Sequence, residues 1–386
     1  MAYPDDSPIL TDGVVTLRPY AMDDVEACVQ QCADPDTVAF TTVPVPYGRE
    51  DAITWITKTV PQGWADGTSL EFAVEAERGD GVRGFAGGIT LRPRDDGIAD
   101  IGFAVHPAAR GRGVARRAVT LIVDWGFAER GVELVEWHAF VGNWASRRAV
   151  WHCGFSFDGR VDKFLPQRGE RRDAWLGSLR ATDTREPKAN WLVAPVLETE
   201  RLRLRPMADA DAARNFDLLS DERSVHFGGR VPGVRQQRDP LATITRAREQ
   251  MATGNMINWT IADRETDRFV GHIQLFDLGG LDDTEVKPGY SIHADSRGRG
   301  YLTESLRALA EWTFRPVAEG GFGKRRITIS TAGTNKASRH AAEQAGFTHV
   351  VTHPSAFPIG DDFDDEVLYQ LINPSWPGRP APEEVD

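Results

Sequence analysis

The chain repeats itself at a fixed distance, and that constrains its architecture more than any single motif does. Leu17-Arg18-Pro19 returns as Leu204-Arg205-Pro206, and Arg110-Gly111-Arg112-Gly113 returns as Arg297-Gly298-Arg299-Gly300, both at an offset of 187. Asp124-Trp125-Gly126-Phe127 meets Glu311-Trp312-Thr313-Phe314 at the same distance. Further on the offset becomes 192: Asn143 and Ser146-Arg147 meet Asn335 and Ser338-Arg339, and Gly154-Phe155 meets Gly346-Phe347. The five extra residues fall most simply in the Gly/Pro-rich stretch 316–323, which reads as a loop. A period near 190 is too long for a solenoid, whose units run to ~20–50 residues. The chain is a duplicated domain, and 386 residues give each copy an ordinary domain length. The expected map is a first domain over 1–181, a polar linker over 182–195 and a second domain over 196–373. A Pro-rich acidic tail, 374–386, is expected to be disordered. Duplicated domains often share an interface, so an intramolecular one is expected here.

Composition removes several classes of function. A chain that is 41% hydrophobic and 26% charged is ordinary soluble globular chemistry, not a mainly disordered one. Three cysteines, Cys28, Cys32 and Cys153, cannot make a disulfide scaffold. Cys28 and Cys32 lie one helical turn apart with no His pair or second Cys pair nearby, so no metal is expected. Unpaired thiols fit a reducing cytoplasm. Residues 1–12 are polar and acidic, and no run approaches the ~20 apolar residues of a membrane span, so neither a signal peptide nor a membrane association is expected. The net charge is −12, and splitting after Asn190 leaves −6 on each side. Neither half is the basic module of a nucleic-acid binder; a negative surface mildly favours amine-bearing partners.

Both halves alternate strand-like and helix-like segments in the same order. In the first, a strand at 14–18 precedes helices at 22–32 and 51–64, then three consecutive strands at 71–75, 84–91 and 99–106. A long amphipathic helix over 113–130, a strand, a helix from Trp144 to His152 and two final strands complete the pattern. Adjacent strands followed by strand–helix–strand–helix give a mixed α/β sheet in each copy, not a fully parallel one.

The chemistry concentrates where a strand runs into a helix. In IGFAVHPAARGRGVA, residues 101–115, an apolar strand meets a Gly-rich, doubly basic turn and a helix begins at once. Unpaired amides and a positive dipole end make such a junction a phosphate cradle, and glycines let an anion approach. GYSIHADSRGRGYL, residues 289–302, repeats it. A dinucleotide fingerprint needs a third glycine where Arg116 and Thr303 stand, and the Gly-Lys-Ser/Thr of a P-loop is absent.

The spacing Arg110-x-x-Gly113-x-Ala115, with the downstream Asn-x-x-Ser and Gly-Phe, resembles the signature of the GNAT acyltransferases, and the resemblance runs from Val14 to about Leu371. The second copy looks like the branch that acetylates ribosomal-protein N-termini, departing at Leu302, where that branch has a small residue. The resemblance implies two tandem domains with splayed mixed sheets. It also implies transfer of an acetyl group from acetyl-CoA, with no metal, to a primary amine on a small molecule or a protein N-terminus. The backbone of Phe103 and Val105, and of Ile292 in the second copy, would meet the pantetheine arm and hold the oxyanion. The turns Arg110, Gly111, Arg112, Gly113, Val114, Ala115 and Arg297, Gly298, Arg299, Gly300, Tyr301, Leu302 would take the pyrophosphate, and Asn143 and Asn335 the pantetheine region.

Three tasks then need residues: deprotonating the amine, holding the oxyanion, and protonating the departing thiolate. Many relatives use a Tyr four positions after the Ser; Val150 and Ala342 stand there. The Rim-like branch assigns the acid to the Ser, so Ser146 and Ser338 are candidates, with helix capping as the plainer role. Asp100, two residues before Gly102 and on the same strand face, is a candidate base, and so is Glu71 on an earlier strand. In the second copy Lys287 replaces the acid, and Glu285 is the nearest carboxylate on that side. The first copy is therefore expected to be the better catalyst; the alternative is an acyl-CoA-binding protein with one or both copies non-catalytic. His106 and His293 read as structural or cofactor-edge groups beside the turn rather than catalytic ones, and Trp144 and Trp151 as core rather than an aromatic acceptor cleft. Arg147, Arg148 and Arg339 either meet the CoA 3′-phosphate or face solvent. The loops 44–48 and 228–240 are where an acceptor would be selected.

Overall fold

The computed structural model describes residues 7–228, 239–280, 282–360 and 362–376. It divides into two compact units, Met1–Lys188 and Ala189–Asp386. The boundary falls within the polar stretch 182–195, but the flanks of that stretch are held. Arg185 Nε donates to Asp124 Oδ1 at 2.8 Å, while Pro195 O accepts from the Trp259 indole at 2.8 Å.

In the first unit, β1 (Leu10–Thr11) and β2 (Thr16–Arg18) lead into α1 (Val25–Ala33), α2 (Pro35–Phe40), α3 (Arg49–Thr54) and α4 (Val60–Asp66). Then come β3 (Leu70–Glu77), β4 (Arg83–Pro93), β5 (Ile98–Val105), α5 (Val114–Glu129), β6 (Leu134–Phe140), α6 (Trp144–His152), β7 (Ser156–Gln167) and β8 (Glu170–Arg180). The strands form one sheet in the order β1-β2-β3-β4-β5-β6-β8-β7, antiparallel except for β5 against β6. This is the mixed α/β sheet expected. The α5 stripe Ala118, Val119, Ile122 and Val123 buries itself against Leu91, Ile101 and Trp137. Each fully buried aliphatic side chain of this kind contributes about 1.5–3 kcal/mol. A second cluster, with Val25 of α1 and Ala52 of α3 against Ala73 and Phe85, covers the opposite face.

Two details were not anticipated. α3 and α4 are bridged by a π-helical turn, Trp55–Thr59, and α2 is a helix of its own. Asp34-Pro35 starts it: the Asp34 carboxylate accepts from the Thr37 amide at 3.0 Å, and Pro35 takes a first-turn position where no N–H is required.

The second unit repeats the design with β9 (Leu197–Glu198), β10 (Leu202–Arg205), α7 (Ala212–Ser220), α8 (Glu222–Phe227), α9 (Pro240–Ala252), β11 (Ile257–Asp263), β12 (Phe269–Phe276) and β13 (Glu285–Ile292). It ends with α10 (Tyr301–Phe314), β14 (Arg326–Ala332), α11 (Lys336–Gln344), β15 (Thr348–Ile359) and β16 (Asp362–Ile372), in the sheet order β15-β16-β14-β13-β12-β11-β10-β9. The inserted loop is ordered: Phe322 stacks on Trp312 with ring centroids 5.1 Å apart. Among the described residues no helix is long and apolar enough to cross a membrane.

What positions the site is a failure of pairing. β5 runs beside β6 only from Ile98↔Leu134 to Ile101↔Trp137, while its other edge stays paired with β4 up to Gly87↔Val105. In the second unit the parallel pairing ends even sooner, at Val286↔Ile327. Each sheet is thus split between two central strands, and half of β5 and most of β13 present a backbone edge without a strand partner among the described residues.

Candidate active site

The polarity of that edge follows from hydrogen bonding on the other side. The His106 amide donates to Ala86 O at 2.9 Å, and the His293 amide donates to Val270 O at 2.9 Å. Alternation along an antiparallel strand then turns the amides and carbonyls of Phe103 and Val105, and of Tyr290 and Ile292, toward the gap. An extended chain laid in the gap meets these groups as a missing strand would.

The edge ends at the glycine turn. Gly111 and Gly113 have φ of +74° and +75°, and Gly298 and Gly300 have +74° and +76°, so the backbone of the two turns is the same. A left-handed conformation suits glycine and penalises other residues. A Cβ at Gly111, Gly113 or Gly298 would meet nothing within 4 Å, so the space over these turns is open. The first intrahelical bonds are Arg117 N–H to Gly113 O at 3.2 Å and Glu304 N–H to Gly300 O at 3.1 Å. The amides before them, through Val114 and Ala115 and through Tyr301 and Leu302, point out of the helix end without helical acceptors. Leu302 packs against the second core and leaves the turn unaltered.

Two of the motif arginines are engaged within the protein. Arg110 binds the Asp34 and Asp36 carboxylates and the Thr37 hydroxyl, and its Nε reaches Val105 O at 3.4 Å. Arg297 binds Asp221, the Ser224 hydroxyl at 3.1 Å and Ile292 O at 3.0 Å. Each guanidinium braces the strand end to the capped start of α2 or α8, whereas Arg112 and Arg299 are exposed.

At the Asn-x-x-Ser segments, the asparagine is the helix cap. Asn143 Oδ1 accepts from the Ser146 amide at 3.2 Å, and Asn335 Oδ1 from the Ser338 amide at 3.3 Å. The serine hydroxyls are therefore not caps. Ser146 Oγ accepts from the Trp137 indole N–H at 3.0 Å, leaving its own O–H to donate. Ser338 Oγ lies 2.9 Å from the Tyr290 hydroxyl, which burial pushes up to about 12. Nothing in the sequence pairs these residues, because Tyr290 sits on β13 and Ser338 on α11.

On the other face of the first sheet, Glu71, Thr90 and Gly102 form one cross-strand row over β3, β4 and β5, ending at the first unpaired residue of β5. Glu71 is only 7% exposed and accepts from the Ser69 hydroxyl at 3.0 Å. Burial pushes its carboxyl up, against the Arg92 charge and the Ser69 and Thr90 hydroxyls. Asp100 lies one row further from the gap and is ion-paired with Arg92 at 2.5 Å. In the second unit the matching row is Asn258, Gln274 and Gly289, so an amide stands where Glu71 does. Lys287 pairs with Asp277 at 2.8 Å, and Glu285 lies within the paired part of β13, bound to Arg326.

The remaining residues stay outside the gap. His106 is buried and its Nδ1 accepts from the Ala108 amide at 3.2 Å; His293 Nδ1 lies 2.9 Å from Asp295. Trp144 packs on Trp175 with centroids 4.5 Å apart. Arg147 is buried, its guanidinium 3.9 Å from the Phe157 ring and 4.7 Å from the Trp175 ring, so it does not face solvent. Arg148 is exposed, and Arg339 binds the Tyr369 hydroxyl at 3.2 Å. Most of the 228–240 loop lies outside the described residues.

A split sheet, an open strand edge and a glycine turn at a helix start, each present twice, define a class of transferase. The family model described as Acetyltransferase (GNAT) domain matches residues 15–156 and again 201–348. The chain belongs to the GNAT acetyltransferase family and is an acyltransferase. Among curated proteins it is similar to the uncharacterized protein YkkB of Bacillus subtilis, 30% identical over 158 residues, 40% of this chain and 87% of that protein. It is also similar to the probable N-acetyltransferase YjcK of Bacillus subtilis, 24% identical over 187 residues, 46% of this chain and 98% of that one. Among solved structures, Mycobacterium smegmatis RimJ in complex with CoA-disulfide aligns at 22% identity and a TM-score of 0.40, over 47% of this chain and 90% of that one.

Proposed function

We propose that the chain transfers an acetyl group from acetyl-CoA to a primary amine, on a small molecule or a protein N-terminus, by direct attack, with the first half as the principal catalyst. The observation that carries this reading is the Glu71–Thr90–Gly102 row, which sets a buried carboxylate on the face opposite Ser146, with the gap beside β5 between them. The amides of Gly111–Ala115, and of Gly298–Leu302 in the second half, take the pyrophosphate. The backbone of Phe103 and Val105 pairs with the pantetheine arm, and the Val105 amide holds the oxyanion. Glu71 takes the amine proton, with Asp100 beyond it on the same face, and the Ser146 O–H, oriented by Trp137, protonates the leaving sulfur. Three free thiols, at Cys28, Cys32 and Cys153, suit a cytoplasmic setting.

The test is thiol release from acetyl-CoA against a panel of amines, with two matched double variants. Asn143→Ala with Ser146→Ala should remove most alkylamine turnover, and Asn335→Ala with Ser338→Ala little of it. The opposite pattern reverses the assignment. Acetyl-CoA binding without thiol release for any amine favours a non-catalytic acyl-CoA-binding protein.

A further inference from the structure

The second half lacks a counterpart of Glu71, yet its acceptor face is not without a proton acceptor. We infer that His272 is the proton-accepting residue of the second half, and that this half acetylates an uncharged, weakly basic amine such as an arylamine. The inference rests on the acetyl-transfer reading above.

His272 is on β12, directly opposite Ser291 of β13 and Thr260 of β11, and so shares a face with both. Ser291 lies on the part of β13 that has left β14, one residue before Ile292, whose backbone faces the gap. Paired residues of this kind are ~5.5 Å apart at Cα, so the imidazole stands at the rim of the gap. The face is that of α7, opposite the one on which Tyr290 meets Ser338. Base and acid thus flank the gap, as Glu71 and Ser146 do in the first half.

The ring is held for this role. Nδ1 lies 3.0 Å from Asn215 Oδ1, an acceptor on α7 that is 1% exposed. With the Asn215 amide oxygen turned to the ring, Nδ1 carries the proton and Nε2 the lone pair. Among the described residues Nε2 has no hydrogen-bond partner, and the residue keeps partial exposure. Burial pushes the imidazole down to about 4, so it is neutral at physiological pH.

The charges around it are already paired. Asp211, which accepts from Thr260 at 2.8 Å, is bound to Arg205; on α7, Arg214 is bound to Asp295. Further along β13, Lys287 is bound to Asp277, and Glu366 beyond it is paired with His353. A neutral ring with a lysine along the same strand face offers an alkylammonium no counter-charge, but it can accept a proton from a neutral amine. The first half has neither part: Gly88 and Cys28 stand where His272 and Asn215 do, and the Tyr20 hydroxyl fills the space over Gly88.

The step balances. The amine lone pair bonds to the acetyl carbonyl carbon as Nε2 takes the amine proton. The C–S bond breaks with its electron pair on sulfur, which takes a proton from the Tyr290–Ser338 hydroxyl pair. Solvent receives the imidazolium proton and restores the hydroxyls.

The experiment follows thiol release by the full chain with acetyl-CoA and p-anisidine, beside an alkylamine. Wild type is expected to turn over p-anisidine. His272→Gln should lower its kcat about 10²–10⁴-fold with the KM for acetyl-CoA unchanged. Asn215→Ala, which frees the ring, should lower kcat in the same sense by less. Wild-type turnover of the alkylamine but not of p-anisidine overturns the inference while leaving the acetyl-transfer reading intact. So does undiminished p-anisidine turnover in His272→Gln. Absence of turnover with either amine sinks both. Should His272→Gln not fold, ¹⁵N-histidine NMR of wild type at pH 5 decides: one neutral ring protonated at Nδ1 is expected, and its absence overturns the inference. His106, the other buried imidazole near a turn, accepts at Nδ1 and so has the opposite tautomer.

Discussion

Replacing Glu71 with Gln separates the cost of burying a carboxylate from its use. Gln keeps the shape and an oxygen for the Ser69 hydroxyl, which reaches Glu71 at 3.0 Å, but removes the charge. Burial holds the folded-state carboxyl above its ordinary range, so the folded state binds the proton more tightly than the unfolded one. The sign follows: stability falls as pH rises from the unfolded pKa through the raised folded one, and the penalty is complete once the pH has passed the folded one. Each unit of elevation corresponds to about 1.4 kcal/mol, which Glu71→Gln recovers, so its thermal midpoint at pH 7 should rise and the gain should vanish near pH 4. Turnover should move the other way. Losing a general base costs about 10²–10⁴ in kcat, and the acid limb of the wild-type pH–rate profile, set above the usual glutamate range, should disappear. Calorimetry at several pH values and thiol release with an alkylamine read the two effects. A variant that is both active and destabilised at pH 7 would refute the reasoning, because the carboxylate would then be a structural anion.

Two further outcomes follow from the turns and from the boundary. Gly113→Val and Gly300→Val each force a β-branched residue into φ near +75°, so each should reduce acetyl-CoA stoichiometry in calorimetric titration from two to one; unchanged binding by a folded variant refutes the turn as the pyrophosphate site. Trypsin should cut first at the unit boundary, after Arg185 or Lys188, and mass spectrometry of the fragments checks this; first cuts within 99–140 would refute the boundary.

The duplicated order of elements, the mixed sheet and the glycine turns were legible because they repeat locally along the chain. The serine partners were not, since Trp137 and Tyr290 reach Ser146 and Ser338 only through packing of a strand against a helix. Glu71 was one carboxylate among several until register placed it in line with Gly102. His272 was hidden by the repeat itself. The offset that relates Glu71 to Asn258 is 187, but their partners Thr90 and Gln274 differ by 184, so a fixed offset misaligns β4 with β12. The ion pairs of Arg110 and Arg297 were not legible for a simpler reason: a guanidinium beside a phosphate turn serves an anion or a carboxylate equally well, and Asp34 and Asp221 come beside it only in the fold.

The split sheet has a consequence for how such a chain diverges. Main-chain amides and carbonyls do not change when a codon does, so a donor gripped by backbone survives substitution along the strand that grips it. Between the two halves the face proposed for the acceptor differs, Glu71 against Asn258 and Gly88 against His272, while both turns kept one geometry. A protein built this way can acquire a new acceptor without first rebuilding its hold on the donor.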